Sequence, residues 1–292
     1  MLARLLALAK RRGDDHGLLL HQFGLERLLA RLSASAHAER FVLKGAQLFA
    51  LWYEVPHRPT RDADLLGLGP FDEAALVTVF REIAALDHRD GIVFDPDSVQ
   101  AQAIRGNDGS GGTRITLRGR IASARCALQI DVGLGDAVTP APVALTCPTL
   151  LGGFPAPVLR TYPVHAVIAE KYHAMVLLGL ANSRMKDFFD LSVIARRTEL
   201  DGATLAAAIA ATFLRRRTAL PEERPIALTS AFGADGKKRQ QWQAFLRKNR
   251  LQAEHLAEVV ALLEALLWPP TQVACAGSPA TATWDPAACL WR

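Results

Sequence analysis

Six prolines fall between residues 137 and 163, and the hydrophobic pattern changes across them. Proline lacks the backbone donor that helices and central strands use, so the stretch reads as extended chain and as a boundary. Before it, short apolar runs alternate with turns. "FVLKGAQLFALWY" (41–53) starts as a buried strand, turns at Gly45 and continues as a helix. "DADLLGLG" (62–69), 91–95, 98–104, 113–118 and "CALQIDVGLGD" (126–136) read as strands, with a helix over 71–86. The turn "GNDGSGG" (106–112) joins two of them as a hairpin. After the boundary, apolar residues recur at helical spacing over 164–181, 185–197, 202–217, 238–248 and 252–268. The pattern predicts an α+β chain with a mixed α/β domain over 1–160, opened by helices over 1–38. A helical domain follows over 161–270, then a loose tail over 271–292, with "WPP" stopping the last helix.

Half of the 292 residues are hydrophobic, enough to bury a sizeable core. No run of about twenty apolar residues is evident, so no membrane span is expected. The opening "MLARLLALAKRR" places its basic pair after a short apolar stretch, the reverse of a signal peptide. It reads as an amphipathic helix of a cytoplasmic protein. The four cysteines, Cys126, Cys147, Cys275 and Cys289, form no C-x-x-C pair, which argues against zinc and for reduced, apolar use. Residues 213–250 carry ten Lys or Arg against three acids, a larger surplus than the +5 of the whole chain. Such a sector suits a polyanion such as nucleic acid or stands as a solvated surface.

Asp62 and Asp64 stand two apart at the head of an apolar run, so a strand presents both on one face. Neighbouring carboxylates repel and are costly to desolvate. A strand that holds a divalent cation has a reason to keep them, because magnesium takes oxygen ligands from one or two carboxylates and completes its shell with phosphate. Asp131, inside "LQIDVGL", adds a third carboxylate if its strand lies beside the first; otherwise it faces solvent on an edge. Gly45, between a strand and a helix, lets backbone N–H groups approach a phosphate, or makes an ordinary turn. With Lys44, Ala46 and Arg61 it makes up the candidate nucleotide-binding set. Lys171 falls on the inward stripe of the 164–181 helix and Asp187 on that of the next. Opposite charges on two inward faces either pair or share a ligand.

In this order the motifs "LKGA", "RPTRDADL", "LQIDVGLGDAVTP", "YPVHAVIAEKYHAM", "SRMKDFFDL" and "PIALTSAF" with "WQAFLRK" resemble the AbiEii/AbiGii-type nucleotidyltransferase toxins of type IV toxin–antitoxin systems, from about Phe41 to Pro269. The resemblance implies a bilobed fold with a DNA-polymerase-β-like nucleotidyltransferase core and a helical C-terminal lobe. It implies that Asp62 and Asp64 bind catalytic Mg2+ or Mn2+, with Asp131 as a further candidate ligand. Lys171 and Asp187 take the family's positions for holding and orienting the nucleotide. The family commonly has Gly-Gly or Gly-Ser where this chain has Gly45-Ala46, so phosphate contacts there fall to backbone N–H groups. The expected reaction moves NMP from an NTP to an RNA hydroxyl, the 3′ end of tRNA first, and blocks translation. The alternative acceptor is a protein or small-molecule hydroxyl. The expected partners are NTP, RNA gripped by Lys237, Lys238 and Arg239, and a cognate antitoxin, with the protein monomeric and off the membrane.

Overall fold

The structure, a computed structural model, describes residues 1–53, 58, 60–105, 111–136, 138–277 and 282–292. The chain divides into two compact units, Met1–Gly135 with Val143–Thr161, and Asp136–Pro142 with Tyr162–Arg292.

The first unit opens with α1 (Leu2–Arg12) and α2 (His16–Ala34), helices within the expected span 1–38. Gly13 ends α1 in the left-handed region (φ 71°), and the Asp15 carboxylate restarts the helix by accepting the Leu18 N–H at 2.8 Å. Then come β1 (Phe41–Lys44), α3 (Leu48–Trp52), β2 (Ala63–Gly67) and α4 (Glu73–Ala85). The strands β3 (Val93–Arg105), β4 (Gly111–Ile121), β5 (Ala124–Leu134), β6 (Val143–Thr146) and β7 (Val158–Thr161) complete the unit. The pattern split 91–95 from 98–104, but β3 is one strand whose register shifts between Asp95 and Gln100. That irregularity accommodates Pro96, which has no N–H for the ladder. Residues 106–110 of the glycine-rich turn lie outside the described residues. The proline-rich boundary is not merely a connection. Two of its proline-free pieces are β6 and β7, and they finish a mixed seven-stranded sheet of order β3-β4-β5-β2-β1-β7-β6. The helices α2 and α4 cover one face of this sheet. Gly24 lets α2 approach closely, because a Cβ there would stand 3.0 Å from Leu128 of β5.

The second unit contains α5 (Val164–Leu178), α6 (Met185–Arg197), β8 (Leu200–Asp201), α7 (Gly202–Arg215), α8 (Ser230–Ala234), α9 (Gly236–Asn249) and α10 (Leu256–Ala276). Its core includes Tyr172 beside Phe213 and Phe188 stacked on Phe232. Two expectations are corrected here. The helix α10 runs through Pro269 and Pro270 instead of stopping at "WPP". Pro269 cannot donate to the carbonyl of Ala265, and the indole N–H of Trp291 donates to that carbonyl instead, at 3.0 Å. The segment after α10 is accordingly not a loose tail throughout. The strands β9 (Thr283–Asp285) and β10 (Leu290–Trp291) pair with β8, and Trp284 is fully buried with its N–H donating to the Ala195 carbonyl at 2.7 Å. Residues 278–281 lie outside the described residues. The stretches Val164–Ala181 and Leu256–Ala276 are each long and apolar enough to cross a bilayer by length and composition alone. Here both contribute buried residues to the core of the unit.

Candidate active site

In the first unit, strand register assembles charges that lie far apart in sequence. Lys44 of β1 stands opposite Asp64 of β2, Asp64 opposite Asp131 of β5, and Asp131 opposite Arg114 of β4. Register partners project from the same face, so four adjacent strands carry one row of charge in the order cation, anion, anion, cation. Arg114 grips Asp131 with two parallel hydrogen bonds, both 2.9 Å. The bonds to Asp131 raise the proton affinity of Arg114 most; partial burial opposes this, and the carboxylates of Asp131, Asp62 and Asp64 add to it. Arg114 is therefore within electrostatic reach of all three acids.

Two glycines leave room for the row. Gly45 holds φ at 75°, and a Cβ there would overlap the Asp64 carboxylate, lying 2.7 Å from its Cγ. Gly133, two residues beyond Asp131, lies under the Lys44 side chain; a Cβ there would be 3.3 Å from Nζ. The lysine thus reaches across β2 to β5. Asp62 immediately precedes β2, and its carbonyl accepts from Gln47 Nε2 at 3.4 Å and Thr60 Oγ1 at 3.3 Å. The glycine turn and the acid-bearing segment are clipped together in this way. Ala46 belongs to the same single 3-10 turn as Gly45. Arg61 is exposed and its carbonyl meets the His21 ring.

The donor chemistry of Asp62 and Asp64 suits a hard cation that takes the rest of its shell from phosphate and water. Asp131 is already engaged through both oxygens. Among the described residues no group of three His, Cys, Asp or Glu side chains is arranged to hold a metal ion. The three carboxylates of the sequence reading are adjacent, but the third is committed to Arg114.

In the second unit, Lys171 on α5 donates to Asp187 Oδ1 and to Asp190 Oδ2 of α6, each at 2.7 Å. Arg184 donates to the other Asp187 oxygen at 2.6 Å. Both carboxylates are 0% exposed, and Lys171 is 13% exposed. Burial by itself would raise the Asp187 pKa; the charges of Lys171 and Arg184 and the Lys171 hydrogen bond outweigh it, so the carboxyl is held below its ordinary value. The sequence placed Lys171 and Asp187 on inward faces and left open whether they pair; they do, and Asp190 and Arg184 complete the group.

The basic sector is less available than its composition suggests. Lys238 is 4% exposed. Its ammonium donates to the Asn182 carbonyl at 2.7 Å and lies 5.5 Å from the centre of the Phe232 ring. Lys238 is thus a packing residue of α9, which corrects its assignment to an RNA-binding trio; Lys237 and Arg239 on either side are exposed. Arg216 is likewise tied to Asp136 at 3.2 Å. Sequence reasoning missed Arg114 and Gly133. Their partners come from strand pairing, for which the sequence carries no local mark.

Comparison with known proteins gives one family. The sequence profile of the AbiEii family, described as "Nucleotidyl transferase AbiEii toxin, Type IV TA system", matches residues 27–265. No curated protein matches the chain. Two solved structures from Helicobacter pylori are similar in chain course. One is JHP933, with 15% identity over 90% of this chain and 94% of that one and a TM-score of 0.49. The other is described as a candidate nucleotidyltransferase, with 16% identity over 90% and 96% and a TM-score of 0.47. Both likenesses are remote, and no assignment rests on them.

Proposed function

This chain belongs to the AbiEii family of nucleotidyl transferase toxins of type IV toxin–antitoxin systems, and on that premise we propose that it transfers NMP from an NTP to an RNA hydroxyl. The first acceptor in this reading is the 3′ end of tRNA, and capping that end blocks translation. The supporting observation is the charge row in which Asp64 is seated by Gly45 and flanked by Lys44 and Asp131. A strand built only for stability has no use for two neighbouring carboxylates that leave no room for a Cβ at Gly45.

In this reading the core is DNA-polymerase-β-like, and Asp62 and Asp64 hold Mg2+ or Mn2+. Held by these two carboxylates, a divalent ion would supply Lewis-acid charge for the phosphoryl oxygens and the attacking hydroxyl. The chain's own residues do the positioning. The Gly45–Gln47 turn offers backbone N–H groups to phosphate, and Arg61 and Lys44 supply positive charge near it. Asp131, tied to Arg114, closes the row on the β4 side and keeps the local charge balanced. Lys171 and Asp187 keep the nucleotide-orienting role that the family resemblance implies, with Asp190 and Arg184 holding them rigid. Positioning and electrostatics supply the rate, as in phosphoryl transfer generally. A cognate antitoxin, a cytoplasmic location and a monomeric state complete the proposal.

The test is label transfer from each of four α-labelled NTPs to total tRNA and to total protein. The expected result is labelled tRNA with release of pyrophosphate, abolished by periodate oxidation of the 3′-terminal diol. Label on protein alone supports the alternative acceptor and rejects the RNA reading.

A further inference from the structure

The face that carries the charge row continues away from it along β4 and β5. In β4, Thr113, Ile115, Leu117 and Ile121 are buried on the helix-covered side. The alternate residues Arg114, Thr116, Arg118 and Arg120 therefore share the opposite face with Asp131. The β4–β5 register is unbroken. It pairs Arg114 with Asp131, Thr116 with Gln129, Arg118 with Ala127 and Arg120 with Arg125. On the other flank β3 places Gln102 opposite Arg114 and Gln100 opposite Thr116. Thr116, Arg118, Arg120, Arg125, Gln100 and Gln102 are all exposed. Chemistry changes in steps along this face, from carboxylates through neutral amides and a hydroxyl to arginines.

The last step is the informative one. Arg120 and Arg125 are direct cross-strand partners, and like charges in that position cost stability. Arg118, one step back, is balanced by Asp95 at 3.2 Å. Neither Arg120 nor Arg125 has an ion-pair partner among the described residues. Two opposed guanidinium groups form a site that an anion relieves. Six residues of strand separate Arg114 from Arg120, about 20 Å.

We propose that this open face is the track for the acceptor strand: Arg120 and Arg125 together hold a backbone phosphate of a single-stranded RNA segment whose 3′ hydroxyl lies at the Asp62–Asp64 end. The inference rests on the reading that RNA is the acceptor. The arginine end supplies attraction for backbone phosphate, and the strand's polarity follows from its 3′ hydroxyl lying at the acid pair. Thr116, Gln129, Gln100 and Gln102 offer donors and acceptors to sugars and bases between the two ends. The track uses a part of the chain distinct from the basic sector of residues 213–250.

The test measures binding of a fluorescein-labelled single-stranded oligoribonucleotide by anisotropy over a series of salt concentrations. The wild type is compared with the double variant Arg120→Gln/Arg125→Gln and with Lys237→Ala/Arg239→Ala. The first variant should bind roughly tenfold more weakly, with a log–log salt slope shallower by about 0.7 to 1.4, the counterions released by one or two phosphate contacts. Its NTP affinity should be unchanged and its melting temperature unchanged or higher, since a like-charge pair is removed. Unchanged RNA affinity and salt slope in that variant, with wild-type binding intact, overturn the track and leave the RNA reading standing. Absence of RNA binding by the wild type, with label passing only to protein, overturns the RNA reading itself.

Discussion

The charge row on the sheet and the cluster on α5 and α6 each set two cations against two carboxylates, and they differ in exposure to water. In the row, Arg114 and Asp131 are 36% and 21% exposed. In the cluster, Asp187 and Asp190 are fully enclosed. A partly exposed pair gains little, because solvent screens it. A buried pair cannot lose one member without stranding the other. The first arrangement therefore contributes little to stability, and the second holds the helical unit together whatever else it does.

Removing Asp62 or Asp64 should separate the two most sharply. We expect Asp62→Ala and Asp64→Ala each to lower NMP transfer by about a thousandfold, ~4 kcal/mol of barrier, while melting temperatures barely move. Near-normal transfer by the double variant in magnesium would remove the acid pair from the site.

The opposite profile is expected in the cluster. Asp187→Ala should destabilise by about 3–5 kcal/mol in urea titrations, because Lys171 and Arg184 lose their shared partner. The acid limb gives a finer reading. The folded Asp187 carboxyl is held below its ordinary value of 3.8, so its stabilisation is fully present above that pH. It is lost as pH falls through the folded value. Asp187→Asn should flatten the stability profile in that acid window. A variant as stable and as acid-sensitive as the wild type would break the contrast.

Gly45→Ala tests a position where backbone and charge meet. A left-handed non-glycine residue costs about 1–3 kcal/mol, and the added Cβ collides with Asp64. Transfer should fall by more than stability does. Equal losses in both would make Gly45 an ordinary turn residue.

A small stability effect is also expected at Arg114. Arg114→Met should change unfolding free energy by less than about 1 kcal/mol. It leaves the row with a net negative charge and frees Asp131, so Mn2+ binding measured by calorimetry should tighten. Unchanged Mn2+ affinity would show that Asp131 is not restrained by its arginine.

Local chemistry was enough to mark several parts of this molecule. The strand–glycine–helix at Phe41–Trp52, the acid pair ahead of an apolar run and the inward Lys171 and Asp187 are each written within a dozen residues, where periodicity and charge conflict openly. The tertiary structure decided the rest. Whether Asp131 is a third ligand or an arginine's partner depends on β4 lying beside β5, and no residue near Asp131 encodes that neighbour. Lys238 looks like its exposed neighbours Lys237 and Arg239, yet α9 turns it toward the Asn182 carbonyl. Pro269 and Pro270 read as a helix stop, yet Trp291, folded back from the end of the chain, donates to the carbonyl that Pro269 leaves without its N–H. In each case a polar group's meaning was set by a partner distant in sequence, because donors and charges seek partners and only the fold determines which group is within reach.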